Sequence, residues 1–428
     1  MKKRLAIVGG GWAGVAAALR GLEAGAEVHL FEMAGQLGGR ARSLSVSQAD
    51  EPRLDNGQHI MIGAYTHSLA LMRSLGLKPE DLLLRRPLQL RYPDRAGLHL
   101  PPGAALPAFV RAVLALRHWR WRDRLALLAA SSLWALRGFR CAPDISVAQL
   151  CAGLPPPVMQ ELIAPLCVAA LNTPAEAASA SVFLRVLHDA LFSGPGSADL
   201  LLPRRPLSEL LAEPAQRQLL AAGATLHLNH TVRQLDRKGQ GWSVDGEHFD
   251  AVLLACSSRS AADLARAHAP AWAERCAALQ FQPIITVYLR SPGSRLAAPM
   301  LALGEGPEAP AQFVFDLGQL GHAPELFAFV VSGAAPWVER GLPATAEACI
   351  AQASDQLHWA SPPTLLRALA EKRATFACTP GLQRPASSIA ERLAAAGDYI
   401  AGPYPATLEG AVRSGEEALA LLRPVLTA

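Results

Sequence analysis

The sequence predicts an α/β protein in which a doubly wound parallel sheet is interwoven with a second, mixed α+β domain. Three observations predict it. Residues 5–31 run strand, glycine-rich turn, helix, strand. Patterns that extend the same unit return only at 223–256 and 397–419. The stretches between them read differently: 86–194 is helical and proline-punctuated, and 281–384 carries strand-like runs at 284–289 and 327–331. The first domain is therefore assigned to residues 1–85, 195–280 and 385–428, and the second to 86–194 and 281–384.

Bulk properties agree with a large folded protein. At 428 residues the chain is long enough for two or three domains. A content of 51% hydrophobic and 18% charged residues excludes a disordered chain. The net charge of +4 is too small to imply a nucleic-acid partner. The charge is concentrated: residues 104–140 hold seven Arg and one Asp, so the rest of the chain is slightly acidic. Seven dispersed cysteines form no CxxC pair and no zinc spacing, which predicts no metal centre and a reducing cytoplasm. Lys2, Lys3 and Arg4 before an apolar run imitate a signal peptide, but the glycine spacing that follows has a better explanation. No stretch reaches about 18 uncharged apolar residues, so no transmembrane helix is expected.

Within residues 5–31, the strand at 5–8 leads into Gly9, Gly11 and Gly14, a G-x-G-x-x-G turn. Helix at 16–22 follows, Gly25 ends it, and a second strand occupies 28–31. Glu32 falls 21 residues after Gly11. Gly9 permits the tight turn, Gly11 lets backbone approach a pyrophosphate at the helix N-terminus, and Gly14 permits close helix packing. Glu32 accepts hydrogen bonds from the adenosine ribose hydroxyls and repels a 2′-phosphate, which favours FAD or NAD over NADP. Trp12 and Ala13, inside the motif, and Met33, after the acid, are counted with the cofactor contacts.

The next segment, GQLGGRARS at 35–43, chooses between FAD and NAD. Together with residues 5–32 it resembles the flavoprotein amine oxidase and phytoene desaturase superfamily, a Rossmann-type fold that holds FAD. The resemblance implies that Gly38 and Gly39 approach the diphosphate while Arg40 and Arg42 supply charge. It implies a strand leading to Val232, whose backbone contacts adenine. In the closing segment GDYIAGPYPATLEGA it implies that Asp398 holds the ribityl or diphosphate region. The helix starting at Leu408, Glu409, Gly410 and Ala411 then aims its positive end at the flavin. That segment contains no cysteine, so the FAD is expected to be non-covalent.

LDNGQHIMIGAY (54–65), APLCVAALNTPAEAASA (164–180), DLLLPRRPLSELL (199–211) and EKRATFACTP (371–380) narrow the resemblance. Together they are similar to the squalene-associated FAD enzymes of bacterial hopanoid synthesis, the hydroxysqualene dehydroxylases. The resemblance implies reductive dehydroxylation of a C30 isoprenoid alcohol by reduced flavin. An allylic hydroxyl leaves poorly unless protonated, so a general acid is wanted. His59 is the first choice for it, with Gln58 or Asp55 orienting the hydroxyl or its water. The alternative is that Asp55 caps the turn while Gly57, Gln58 and His59 brace the flavin. Asp189, Asp199, Asp316, Arg373 and Arg384 are further candidates to face the substrate. A carotenoid-type desaturase using oxidised FAD and a non-catalytic prenyl-lipid-binding protein share the fold and stay open. No second nicotinamide fingerprint is present, so an external electron donor is expected.

A C30 isoprenoid resides in the bilayer, and the Arg-rich stretch gains a purpose from that. Phe109, Val110, Val113 and Leu114 are expected on one apolar helix face. The following RHWRWRDR (117–124) supplies arginines and two tryptophans suited to the headgroup boundary. Residues 104–140 are thus expected to form a monotopic contact at the inner face of the cell membrane.

Overall fold

A computed structural model describes residues 2–44, 52–95 and 97–427. Its centre is a six-stranded sheet ordered Ser388–Ala390, Leu393–Ala395, Ala251–Leu254, Arg4–Val8, Glu27–Phe31, Thr225–His227. All neighbours pair in parallel except the first two. The central strands Arg4–Val8 and Ala251–Leu254 are short, mostly apolar runs buried on both faces, as a parallel sheet requires. Helix Trp12–Glu23 covers one face together with the C-terminal helix Leu408–Leu426. These two helices touch so closely that a Cβ on Gly415 would lie 2.2 Å from the Ala13 carbonyl oxygen.

The parallel strands all end at the same edge. Val8 pairs with both Leu254 and Phe31, and Leu254 pairs with Ala395. The segments that follow them, Gly9 onward, Glu32, Ala255–Cys256 and Gly397–Asp398, therefore emerge side by side. In an open α/β sheet this carboxyl edge is where a ligand binds.

A five-stranded antiparallel sheet stands beside it, ordered Met300–Ala302, Phe313–Asp316, Leu326–Val331, Phe281–Arg290, Thr364–Phe376. Alternation along these strands sorts their side chains between two cores. Phe313, Phe315, Ala328, Val330 and Tyr288 join the main core with the helical layer. Val314, Phe327, Phe329, Ile285 and Val287 pack under helix Leu342–Gln356. The helical layer comprises Ala105–Ala115, Trp121–Leu136, Ala164–Leu171 and Ala180–Phe192, with a π-helical turn at Met159–Ile163. Asn172 ties that layer to the sheet from a left-handed backbone (φ 48°). Its amide donates to Thr375 Oγ1 (2.9 Å) and accepts from Gly333 N–H (2.7 Å).

Three local expectations need correction. The strand expected to lead to Val232 stops at His227, and Asn229 breaks it with φ 55°. Val232 lies instead in the loop after it, which stays beside the second strand because His230 N–H donates to the Glu32 carbonyl (2.9 Å). Gly14 is needed less by the neighbouring strand than by the turn itself, since its Cβ would sit 1.9 Å from Gly9 O. In the Arg-rich stretch, Val113, Trp119 and Arg124 point inward rather than outward. Val113 joins Ala108 and Ala112 in the core. Trp119 donates from Nε1 to Glu161 (2.9 Å), and Arg124 donates to the carbonyls of Leu114 (3.0 Å) and Trp119 (2.9 Å). Unsatisfied carbonyls at the end of helix Ala105–Ala115 account for Arg124, because a buried acceptor needs a donor.

Candidate functional site

The glycine turn makes the floor of the crevice. Gly9 holds φ +112°, and a Cβ there would lie 2.5 Å from the Ala255 carbonyl oxygen. Gly11 is different. A Cβ there would meet nothing nearer than Gly39 Cα at 3.8 Å, so no protein atom accounts for the missing side chain. What the pair of facing glycines keeps clear is a groove over the N-terminus of helix Trp12–Glu23. Gly38 and Gly39 enter it in left-handed conformations (φ +109° and +62°). An open groove at a helix N-terminus, walled by backbone alone, fits a diphosphate. Trp12 and Ala13, counted with the contacts, are buried and would offer that group only backbone, while Met33 is exposed beside the acid.

Glu32 stands at one end of the groove, with Oε2 accepting from Gly10 N–H (2.7 Å) and Oε1 from Ala34 N–H (2.8 Å). Each oxygen keeps a further lone pair, enough for the two ribose hydroxyls of an adenosine. Val232 lies on this side, on the loop that tracks Glu32. Glu32→Ala is expected to weaken FAD binding by about 1.5–3 kcal/mol, roughly 10–150-fold in Kd. Flavin-fluorescence titration of apoprotein reads that loss directly.

Arg40 and Asp398 meet at the other end. Arg40 Nη2 donates to Asp398 Oδ1 (2.5 Å), and Nη1 donates to the carbonyls of Ala374 (2.6 Å) and Arg373 (3.2 Å). The pair staples the glycine loop to the last strand of the parallel sheet and to the edge of the antiparallel one. Arg42 folds back onto Gly39 O. Helix Leu408–Leu426 starts nearby, with Thr407 Oγ1 capping Gly410 N–H (3.0 Å). Gly410 has no room for a side chain, since its Cβ would lie 2.0 Å from Tyr404 O. Leu408 and Ala411 are half-buried at this end. Glu409 turns away: its fully buried carboxylate accepts from His67 N–H (3.0 Å), Ser68 N–H (2.8 Å) and Arg413 Nε (2.8 Å). Only its backbone remains for a cofactor.

The segment after Asp55 crosses above this floor. It pairs antiparallel with the glycine loop, Ser43 opposite Asp55, with Asn56 N–H donating to Arg42 O (2.9 Å). Asp55 itself faces inward, which corrects its candidacy as a catalytic group. Its Oδ1 accepts from Ser43 Oγ (2.7 Å) and Leu207 N–H (2.9 Å), and the residue is buried. Burial raises its carboxyl to about 6, against the pull of those two donors. Asp55 is a brace that caps the turn at Leu207–Leu210. Gln58 also braces. Tyr288 Oη donates to the Asp55 carbonyl (2.8 Å), and the Gln58 side chain bonds the same hydroxyl.

His59 is half-buried, and its Nδ1 lies 3.0 Å from Gly57 O. That carbonyl can only accept, so Nδ1 carries the proton and Nε2 is the nitrogen free to gain or lose one. Burial, and then the Arg40 charge, hold the imidazole below its ordinary 6.5, although the Gly57 carbonyl opposes them.

The other candidates are committed elsewhere. Asp189 accepts from Arg185 Nε (2.8 Å) and from His188, Asp199 from Arg85 (2.8 Å), and Asp316 from Leu296 N–H (3.0 Å) and Gln319. Arg373 is exposed and touches the site only through its carbonyl. Arg384 lines a cavity of about 230 Å³ beside Phe376 and Pro405, donating to Ile400 O (2.7 Å) and Gly402 O. Sequence reasoning missed Ser43, Ser208 and Tyr288, which fix the Asp55–His59 segment, and Glu371, which receives the Asn56 amide (3.1 Å). No local pattern marks them, since the ties Ser43–Ser208 and Tyr288–Asp55 span 165 and 233 positions.

Comparison with known proteins agrees with this geometry. The model of flavin-containing amine oxidoreductases matches residues 12–420. A hydroxysqualene dehydroxylase of Rhodopseudomonas palustris is 29% identical over 99% of both chains. A probable zeta-carotene desaturase of Synechococcus elongatus is 27% identical over 68% of this chain and 66% of its own. Among solved structures, cyclohexylamine oxidase from Brevibacterium oxydans superposes with a TM-score of 0.71 at 16% identity, covering 100% of both chains. With its glycine groove, ribose acid and Arg40–Asp398 staple set at the carboxyl edge of one parallel sheet, the chain belongs to the flavin-containing amine oxidoreductase family and is an FAD-dependent oxidoreductase.

Proposed function

We propose that the protein removes the hydroxyl group of hydroxysqualene, a C30 isoprenoid alcohol, to give squalene and water. The observation that carries the proposal is the end-to-end match to a relative of that name, covering 99% of both chains. The site's chemistry supports it. An alcohol becomes a leaving group when protonated, and His59 holds its Nδ1–H on Gly57 O, so that Nε2 delivers a proton whenever the ring is in its imidazolium form. Reduced FAD bound in the groove supplies the hydride that the carbon takes up. His59 sits on a segment pinned by Asp55, Gln58 and Tyr288, so its ring is fixed relative to the groove. Leu54 and Ile60, which flank the segment, pack in one core with apolar side chains of the antiparallel sheet and the helical layer, suiting a substrate bound through hydrocarbon area at roughly 25 cal/mol per Å².

The partial match to a probable zeta-carotene desaturase keeps a second reading, desaturation by oxidised FAD. One experiment separates them. Holoenzyme reduced anaerobically and mixed with hydroxysqualene is expected to yield squalene as flavin absorbance returns. A more unsaturated product from oxidised enzyme and a polyisoprene, with no reaction in the reduced state, would establish the desaturase instead. The electrons come from an external donor. A bilayer-dissolved substrate supports a peripheral position at the inner face of the cell membrane.

A further inference from the structure

Among the described residues, no helix is long and apolar enough to cross a membrane. Yet six of the eleven exposed large hydrophobic residues among the described ones fall between 106 and 136: Leu106, Leu114, Trp121, Leu125, Leu133 and Leu136. Four of them share one face of helix Trp121–Leu136. At 100° per residue, Trp121, Leu125, Ala129, Leu133 and Leu136 fall in a single stripe roughly 22 Å long. Trp121 is 64% exposed, Leu125 57% and Leu136 86%. The opposite face carries the buried residues Asp123, Leu127 and Trp134, so the helix is anchored and its apolar stripe is left outside.

Charge says what covers the stripe. Arg111, Arg117, Arg120, Arg122, Arg137 and Arg140 are all exposed. Asp123, the single acid of residues 104–140, is buried and accepts from Arg120 N–H (3.1 Å). Residues 104–140 therefore present six exposed arginines and no exposed acid of their own, with arginines at both ends of the stripe, while the Glu161 carboxylate beside them is bound by His118 and Trp119. A second copy of the chain would bring like charges together. An anionic lipid leaflet offers complementary charge to the guanidinium groups and hydrocarbon to the stripe.

We infer that the outer face of helix Trp121–Leu136 lies in the plane of an anionic leaflet, its Trp121–Leu136 stripe in the acyl boundary and its flanking arginines among the headgroups. Within the contact expected over residues 104–140, the apolar part thereby falls on the second helix, since Val113 of the first is core. It deepens the proposed use of a bilayer-dissolved substrate and rests on that reading only for its purpose. Binding is scored without substrate or turnover, so either idea can fail alone.

The test is flotation of FAD-loaded protein with vesicles of phosphatidylcholine, or of phosphatidylcholine mixed with phosphatidylglycerol. At least tenfold more protein is expected on the anionic vesicles at low salt, falling as salt screens the arginines. The triple variant Arg117→Glu, Arg120→Glu, Arg122→Glu is expected to lose at least tenfold. The double variant Leu125→Asp, Leu136→Asp is expected to lose a similar amount at the same salt. Both change exposed side chains, and unchanged flavin content certifies their fold. Equal binding by wild type and either variant overturns the inference. So does a lipid-independent dimer that the leucine variant dissolves, which would assign the stripe to a second copy.

Discussion

His59→Ala is expected to slow the chemical step about 10²–10⁴-fold, the usual worth of a positioned general acid. The nitrogen that matters is Nε2, because Gly57 O engages Nδ1–H in both protonation states. Burial and the Arg40 charge keep the ring neutral until the pH falls below the ordinary histidine value. The protonated fraction therefore grows as pH falls from 8, and single-turnover rates of reduced enzyme should rise with it before levelling off. Stability carries the opposite sign. A histidine whose folded pKa is depressed adds stability that is present above pH 6.5 and is lost as pH falls through the folded value. Wild type should thus lose thermal stability on the acid side where His59→Ala loses less. A variant with normal single-turnover rates, a flat profile and altered flavin content would make His59 a support for the flavin instead.

Arg40→Met is expected to cost about 2–4 kcal/mol in stability and most of the bound FAD. Breaking a buried ion pair typically costs about 3–5 kcal/mol, because the remaining charge has no partner. The lower range follows from Arg40 being partly open to solvent while Asp398 is not. The loss also frees the carbonyls of Arg373 and Ala374, so the glycine loop is released from both sheets at once. Thermal midpoints of apoprotein and holoprotein, with flavin content, measure both effects. Adding Asp398→Asn should recover part of the stability but not the FAD. Arg40→Lys should rescue poorly, since one ammonium cannot reproduce a planar fork shared between a carboxylate and two carbonyls. Full retention of FAD by Arg40→Met would remove the staple from the cofactor site.

Residues 5–43 were legible because each step there is dictated locally. A glycine with φ above zero, a helix that must start over a phosphate and an acid at the end of the next strand all follow from near neighbours in the chain. The same holds for Gly410 and the helix it opens. The roles of Asp55, Gln58 and His59 were not legible in this way. All three lie in one five-residue segment, and sequence alone could not say which of their side chains distant residues would engage. Leu207, Ser43 and Tyr288, brought from distant positions, claimed the first two and left His59.

The Arg-rich stretch shows the same division. Sequence by itself determined that residues 104–140 carry six net positive charges among apolar residues, because charge and hydropathy are properties of composition. Tertiary structure alone decided that Val113, Trp119 and Arg124 turn inward and that Trp121, Leu125 and Leu136 stay outside. The phase of a helix against its core is set by what it packs on. Here the open carbonyls of Leu114 and Trp119 captured Arg124 and the carboxylate of Glu161 captured Trp119, while Val113 packs into the core, although in sequence all three looked like their exposed neighbours.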